Sequence, residues 1–260
     1  FYDLIKDVRN NKRHEHRRAE FDFGHGPRRG QLLCSPLHHM DLGDGAVLLV
    51  WDDLTELINA QSKRETTLQQ LMTVLTGLID ARDPHSARQS RRLAQLSEMT
   101  AKALNFDAEA TRRLCIASHL VNLGKVLVPT EVLTKAGKLN KTELQSVHDA
   151  LTQSSLLLQE VDFDAPIIPL IEAVHGDHRE VEPEAAALRV LNAFISMISP
   201  RAHREALTID NALDILRANP ERYNRACLSA LSHLMDNEGG RDMVKDWQRE
   251  AKSSATLPAL

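Results

Sequence analysis

Aromatic residues are scarce, with phenylalanine, tryptophan and tyrosine together making up 4% of the 260 residues. The 42% of hydrophobic residues is therefore carried by leucine, alanine, valine and isoleucine, a composition that favours helix over sheet. Strong net charge is absent too: the balance is −4, which excludes a chain-wide field able to gather nucleic acid or an anionic membrane. Cysteine is limited to Cys34, Cys115 and Cys227, odd in number, far apart and without a CxxC pair. That excludes a disulfide framework and implies free thiols in a reducing cytoplasm. No apolar run approaches the roughly 20 residues that a membrane span needs; residues 46–51 form one of the longest. No signal-peptide pattern is present either. A cytoplasmic protein without nucleic-acid or membrane contact in this fragment is expected. The first residue is Phe1 rather than Met, so the chain is read as part of something longer.

What is present falls into distinct textures. Residues 1–53 read as a short helix and then strands at 15–23, 30–40 and 45–51. Gly24-His25-Gly26-Pro27 and Asp41-Leu42-Gly43-Asp44-Gly45 break them with hairpin punctuation. Residues 54–80 read as one long helix. Leu54, Leu57, Leu68, Leu71, Leu75 and Leu78 fall three and four apart, with Gln61 and Arg64 as polar members of the same seam. That is a heptad pattern, and it points to a parallel coiled-coil homodimer, with a single amphipathic helix as the alternative. Residues 81–238 read as helix after helix, at 86–104, 108–120, 141–159, 167–174, 184–198, 209–218 and 221–235. Asn140 with Glu143 has the spacing of a capping box, and Thr208 is placed to cap the next-to-last of these helices. Residues 239–260 read as a polar tail, frayed at the end.

Two stretches resemble known families. Val50-Trp51-Asp52-Asp53-Leu54-Thr55-Glu56-Leu57 resembles the exit of a PAS sensor domain, where a strand, an Asp-Leu-Thr-Glu turn and a signalling helix follow one another. Only the last half of a PAS fold is covered, so the resemblance implies no PAS cofactor. Residues 78–236 resemble an HD-GYP domain, an all-helical branch of the HD superfamily that hydrolyses cyclic di-GMP. Leu78 to Ser86 is similar to the entry helix of that family, Leu123-Gly124-Lys125-Val126-Leu127-Val128-Pro129 with Val132 to Leu139 to its Gly-Lys segment, and Val190 to Leu207 to its arginine-containing exit segment. The resemblance implies a mainly α fold: a helical bundle preceded by a long signalling helix and a small β-rich PAS remnant.

The family's chemistry needs clustered metal ions held by His, Asp and Glu from several helices, which activate water and neutralise phosphate. Carried over position by position, those ligands fall on His85, Gln89, Val121, Asn122, Ala150, Val174, His175 and Asn192. Only His175 keeps the expected type. Valine cannot bind a metal, and asparagine lacks the charge of a bridging aspartate. The Gly-Tyr-Pro loop has no counterpart around Arg179 and Val181. No catalytic residue, metal or cofactor is therefore expected. A rebuilt site from His85, His119, His148 and His175 is the rival. It is weakened because His119 and His148 are each displaced two residues from a ligand position, about 200° around a helix. Lys125 and Arg201 match family positions that could meet phosphate. Cys115 reads as core. The expectation is a catalytically silent signalling module, a homodimer acting on a protein partner such as a diguanylate cyclase. A non-hydrolysing cyclic di-GMP receptor and a metal-dependent phosphodiesterase with a relocated site are the alternatives.

Overall fold

A computed structural model describes residues 2–22, 24–37, 46–82, 88–176, 181–201, 204–237 and 239–254. The chain divides into two compact units, residues 1–70 and 71–260, and the boundary falls inside one long helix. Mainly helical structure with one small antiparallel sheet agrees with the expected fold class.

In the first unit, helix α1 (Tyr2–Asn11) precedes strands β1 (Glu15–Asp22), β2 (Pro27–Leu37) and β3 (Ala46–Asp53). The sheet is an antiparallel meander with β2 in the centre. Leu4 and Val8, one turn apart on α1, meet Leu32 and Cys34 from alternate positions of β2, with Phe21, Val47, Leu49 and Trp51 packed around them. Phe21 and Trp51 meet edge to face at 4.9 Å. Gly30 is required by close approach, since a Cβ there would lie 2.1 Å from the Asp52 carbonyl oxygen. The turn out of the sheet is pinned: Leu54 N–H donates to the Arg29 carbonyl, Arg29 N–H to Thr55 Oγ1, and Thr55 N–H to the Asp53 carboxylate. Helix α2 (Thr55–Arg82) starts from that turn.

In the second unit, Met72, Thr76 and Ile79 of α2 are buried, and the Thr76 hydroxyl is satisfied by the Met72 carbonyl. Then follow α3 (Gln89–Ala103), α4 (Ala108–Leu120), a 3₁₀ turn at Leu123–Leu127, α5 (Thr130–Leu133), α6 (Lys141–Thr152), α7 (Ile167–His175), α8 (Pro183–Ile198), α9 (Ile209–Arg217), α10 (Arg225–Asn237) and α11 (Gly240–Ser254). Helix α8 is buried on nearly every side and forms the axis of the bundle, with Leu188, Leu191, Phe194 and Ile195 inaccessible to solvent. Ser97 on α3 and Ser118 on α4 share a 2.7 Å hydrogen bond inside this core. The capping box at Asn140 and Glu143 is present, and Thr208 caps α9.

Two sequence expectations are corrected. The segment expected to be a frayed tail is helical over Gly240–Ser254, because Val244 and Trp247 bury one face. Arg92 then holds the Trp247 carbonyl at 2.9 Å, with its guanidinium 5.8 Å from the indole ring. The helix expected over 141–159 ends at Thr152. The Ser154 hydroxyl receives the Gly124 N–H at 2.8 Å, and the Ala150 carbonyl lies where a Gly124 Cβ would stand, 1.8 Å away. Only glycine lets the 3₁₀ turn sit this close to α6, and the chain turns at that contact.

Candidate functional site

The positions singled out by sequence lie on α3, the junction of α4 with the 3₁₀ turn, α6, α7 and α8. Gln89 opens α3 and is 3% exposed; Lys125 on the 3₁₀ turn is 5% exposed. The Lys125 ammonium donates to Gln89 Oε1 at 2.8 Å. Arg201, just beyond α8, reaches the same oxygen at 3.4 Å and Ser196 Oγ at 3.2 Å. Asn122, also buried, donates through Nδ2 to Asn192 Oδ1 on α8 at 3.0 Å. His175, at the end of α7, donates from Nε2 to the Val121 carbonyl at 2.9 Å. Val121, Ala150 and Val174 fill apolar core space.

The two asparagine amides face each other as a neutral pair. Gln89 presents its oxygen to cations of the protein itself. The one residue of expected ligand type has a ring nitrogen engaged with backbone. Burial holds the His175 pKa below its ordinary 6.5, and the nearby His148 and Arg222 push the same way while the Val121 carbonyl opposes. His175 is thus neutral near pH 7.

Of the alternative histidine set, His119, His148 and His175 lie on α4, α6 and α7. His119 is half-buried on α4; its pKa is lowered by burial and then by Arg91, and its Nδ1 has no hydrogen-bond partner among the described residues. His148 is exposed on α6. His85, His178 and Arg179, and with them the segment where the Gly-Tyr-Pro loop would stand, lie outside the described residues. Among the described residues no group of three or more His, Cys, Asp or Glu is placed to hold a metal ion. Three apolar side chains and three amides cannot serve as the imidazole and carboxylate set of a multi-metal centre. The residues described here do not fit the metals of the resembled family. Burial pushes the Cys115 and Cys227 thiols up to about 11, so neither offers a thiolate nucleophile near pH 7.

Sequence reasoning named Gln89, Lys125 and Arg201 separately and missed that they meet. It also missed Ser196, whose signal was its place one helical turn after Asn192.

The bundle from α2 to α10 carries the decisive match: residues 73–227 fit the family model described as HD domain. The chain belongs to the HD-domain family. Among curated relatives of this HD-domain protein, a 3′3′-cGAMP-specific phosphodiesterase of Vibrio cholerae is 26% identical over 181 residues, 65% of this chain and 39% of the relative. A cyclic di-GMP phosphodiesterase response regulator of Xanthomonas campestris is 25% identical over 190 residues, 67% of this chain and 50% of the relative. A second 3′3′-cGAMP-specific phosphodiesterase of Vibrio cholerae is 21% identical over 165 residues, 58% of this chain and 37% of the relative. The HD-domain chain spans half or less of the length of each. No described helix is long and apolar enough to cross a membrane.

Proposed function

We propose that this HD-domain protein is a signalling module built on a cyclic-dinucleotide phosphodiesterase scaffold whose catalytic centre has been replaced. Its output is contact with another protein, such as a diguanylate cyclase. The observation that carries the reading is the pairing of the buried Asn122 amide with the half-buried Asn192 amide, at two positions where hydrolysis calls for charged ligands. In this reading residues 1–53 are the remnant of a PAS domain, 54–80 a signalling helix, and 81–238 a degenerate HD-GYP domain. The pinned Asp53-Leu54-Thr55 turn supports the PAS likeness by joining strand to helix rigidly. The leucine seam of α2 supports a homodimer: Leu57, Leu71 and Leu78 are each more than half exposed in the single chain, and Leu75 is 38% exposed.

A cyclic di-GMP receptor using Lys125 and Arg201 is disfavoured by their geometry. Lys125 is 5% exposed and both side chains donate to Gln89, so a phosphate would have to break those bonds first. The test is an assay of hydrolysis. Purified chain is incubated with cyclic di-GMP or 3′3′-cGAMP in the presence of manganese, iron or zinc, and linear products are separated by chromatography. Turnover no faster than buffer is expected. Metal-dependent product formation that survives repurification, and is lost in His175→Ala, would overturn the reading in favour of a relocated site.

A further inference from the structure

The hydrogen bonds at the replaced centre close into a ring. Asn192 and Ser196 stand one turn apart on α8. From Asn192 a 3.0 Å bond leads to Asn122; three residues on, Lys125 donates to Gln89 on α3 at 2.8 Å. Gln89 Oε1 is shared with Arg201 at 3.4 Å, and Arg201 returns to Ser196 at 3.2 Å. Three parts of the bundle distant in sequence are thereby tied at one place: the start of α3, the Leu123–Leu127 turn, and α8 with its exit.

We propose that this ring is the chain's own substitute for metal coordination. The Lys125 ammonium is its internal cation, and the ring cross-links α3, the 3₁₀ turn and α8 without a bound ion. The proposal rests on the reading that the ligand positions have lost their ligands. A metal centre in such a fold joins several helices through one positive charge. An ammonium has three donors that can do the same work, provided acceptors meet it. A buried ammonium deprived of an acceptor is strongly unfavourable, which gives Gln89 its role: an amide oxygen accepts from two cations and needs no proton of its own.

The test is thermal unfolding of the whole chain, followed by circular dichroism after EDTA treatment and again with added manganese, iron or zinc. The midpoint is expected to stay within about 1 °C throughout, as it must when no ion binds the folded state preferentially. Gln89→Leu, which leaves Lys125 without this acceptor, is expected to lower the midpoint by about 5 °C or more. Adding Lys125→Met is expected to recover most of that loss, because the charge leaves with its acceptor. Should Gln89→Leu fail to fold, Gln89→Glu keeps an acceptor and is expected to unfold no earlier than the parent. A midpoint raised several degrees by metal, a double variant whose loss is the sum of the singles, or a Gln89→Glu variant that unfolds well below the parent overturns the proposal. Failure of the functional reading is separable: hydrolysis by a chain whose unfolding ignores metal would reject that reading and leave the ring standing.

Discussion

In the proposed reading His175 is the lone survivor of a ligand set. Its imidazole meets the Val121 carbonyl and sits neutral and half-buried. His119 is likewise held below the ordinary 6.5 by burial. A histidine whose pKa falls on folding binds protons more readily in the unfolded chain, so the stability it contributes is full above about pH 6.5 and lost as the pH falls below that. The thermal midpoint is therefore expected to be level from about pH 8 to 7 and to fall from about pH 6.5 to 5. His175→Gln is expected to reduce that slope. An identical slope in the variant would mean that other groups carry the acid sensitivity. Residue types were readable from sequence at this scale; their pairings were not. The meeting of Gln89 with Lys125 joins residues 36 positions apart, and nothing in local spacing encodes it.

At the scale of elements, caps and periodicity carried most of the information. Asn140 with Glu143 and Thr208 with Asn211 mark helix starts through backbone N–H groups that only a side chain can satisfy, a local signal. The break at Thr152 was hidden because its cause is a contact with Gly124, 30 residues from Ser154. Helix α11 was masked by its polar composition, although Val244 and Trp247 lie three apart on one face. Helix α2 carries two faces in its last turns. Met72, Thr76 and Ile79 are buried, whereas Leu71, Val74 and Leu78 are exposed. A second copy paired along the exposed seam would cover them. Light scattering on the whole chain is expected to give twice the chain mass. Leu71→Asp with Leu78→Asp is expected to give the single-chain mass with unchanged circular dichroism, since both side chains are already exposed. A parent that already runs at the single-chain mass would rule out the homodimer.

For the whole molecule, the order of motifs from residue 78 to 236 made the helical scaffold legible, and the HD-domain match over residues 73–227 agrees with it. What the order of motifs cannot convey is whether substituted positions regroup into a new centre. That depends on three-dimensional placement: His119 and His148 lie on α4 and α6 without joining His175 in a metal-holding group among the described residues. Metal retention is therefore the decisive property of the chain. Elemental analysis of the purified, untagged chain by plasma mass spectrometry, after incubation with manganese, iron, zinc or nickel and removal of free ion, is the most direct check. Less than about 0.1 equivalent of any transition metal per chain is the result expected if no ion is left to activate water. One equivalent or more, retained through gel filtration and lost with His175→Ala, would contradict it.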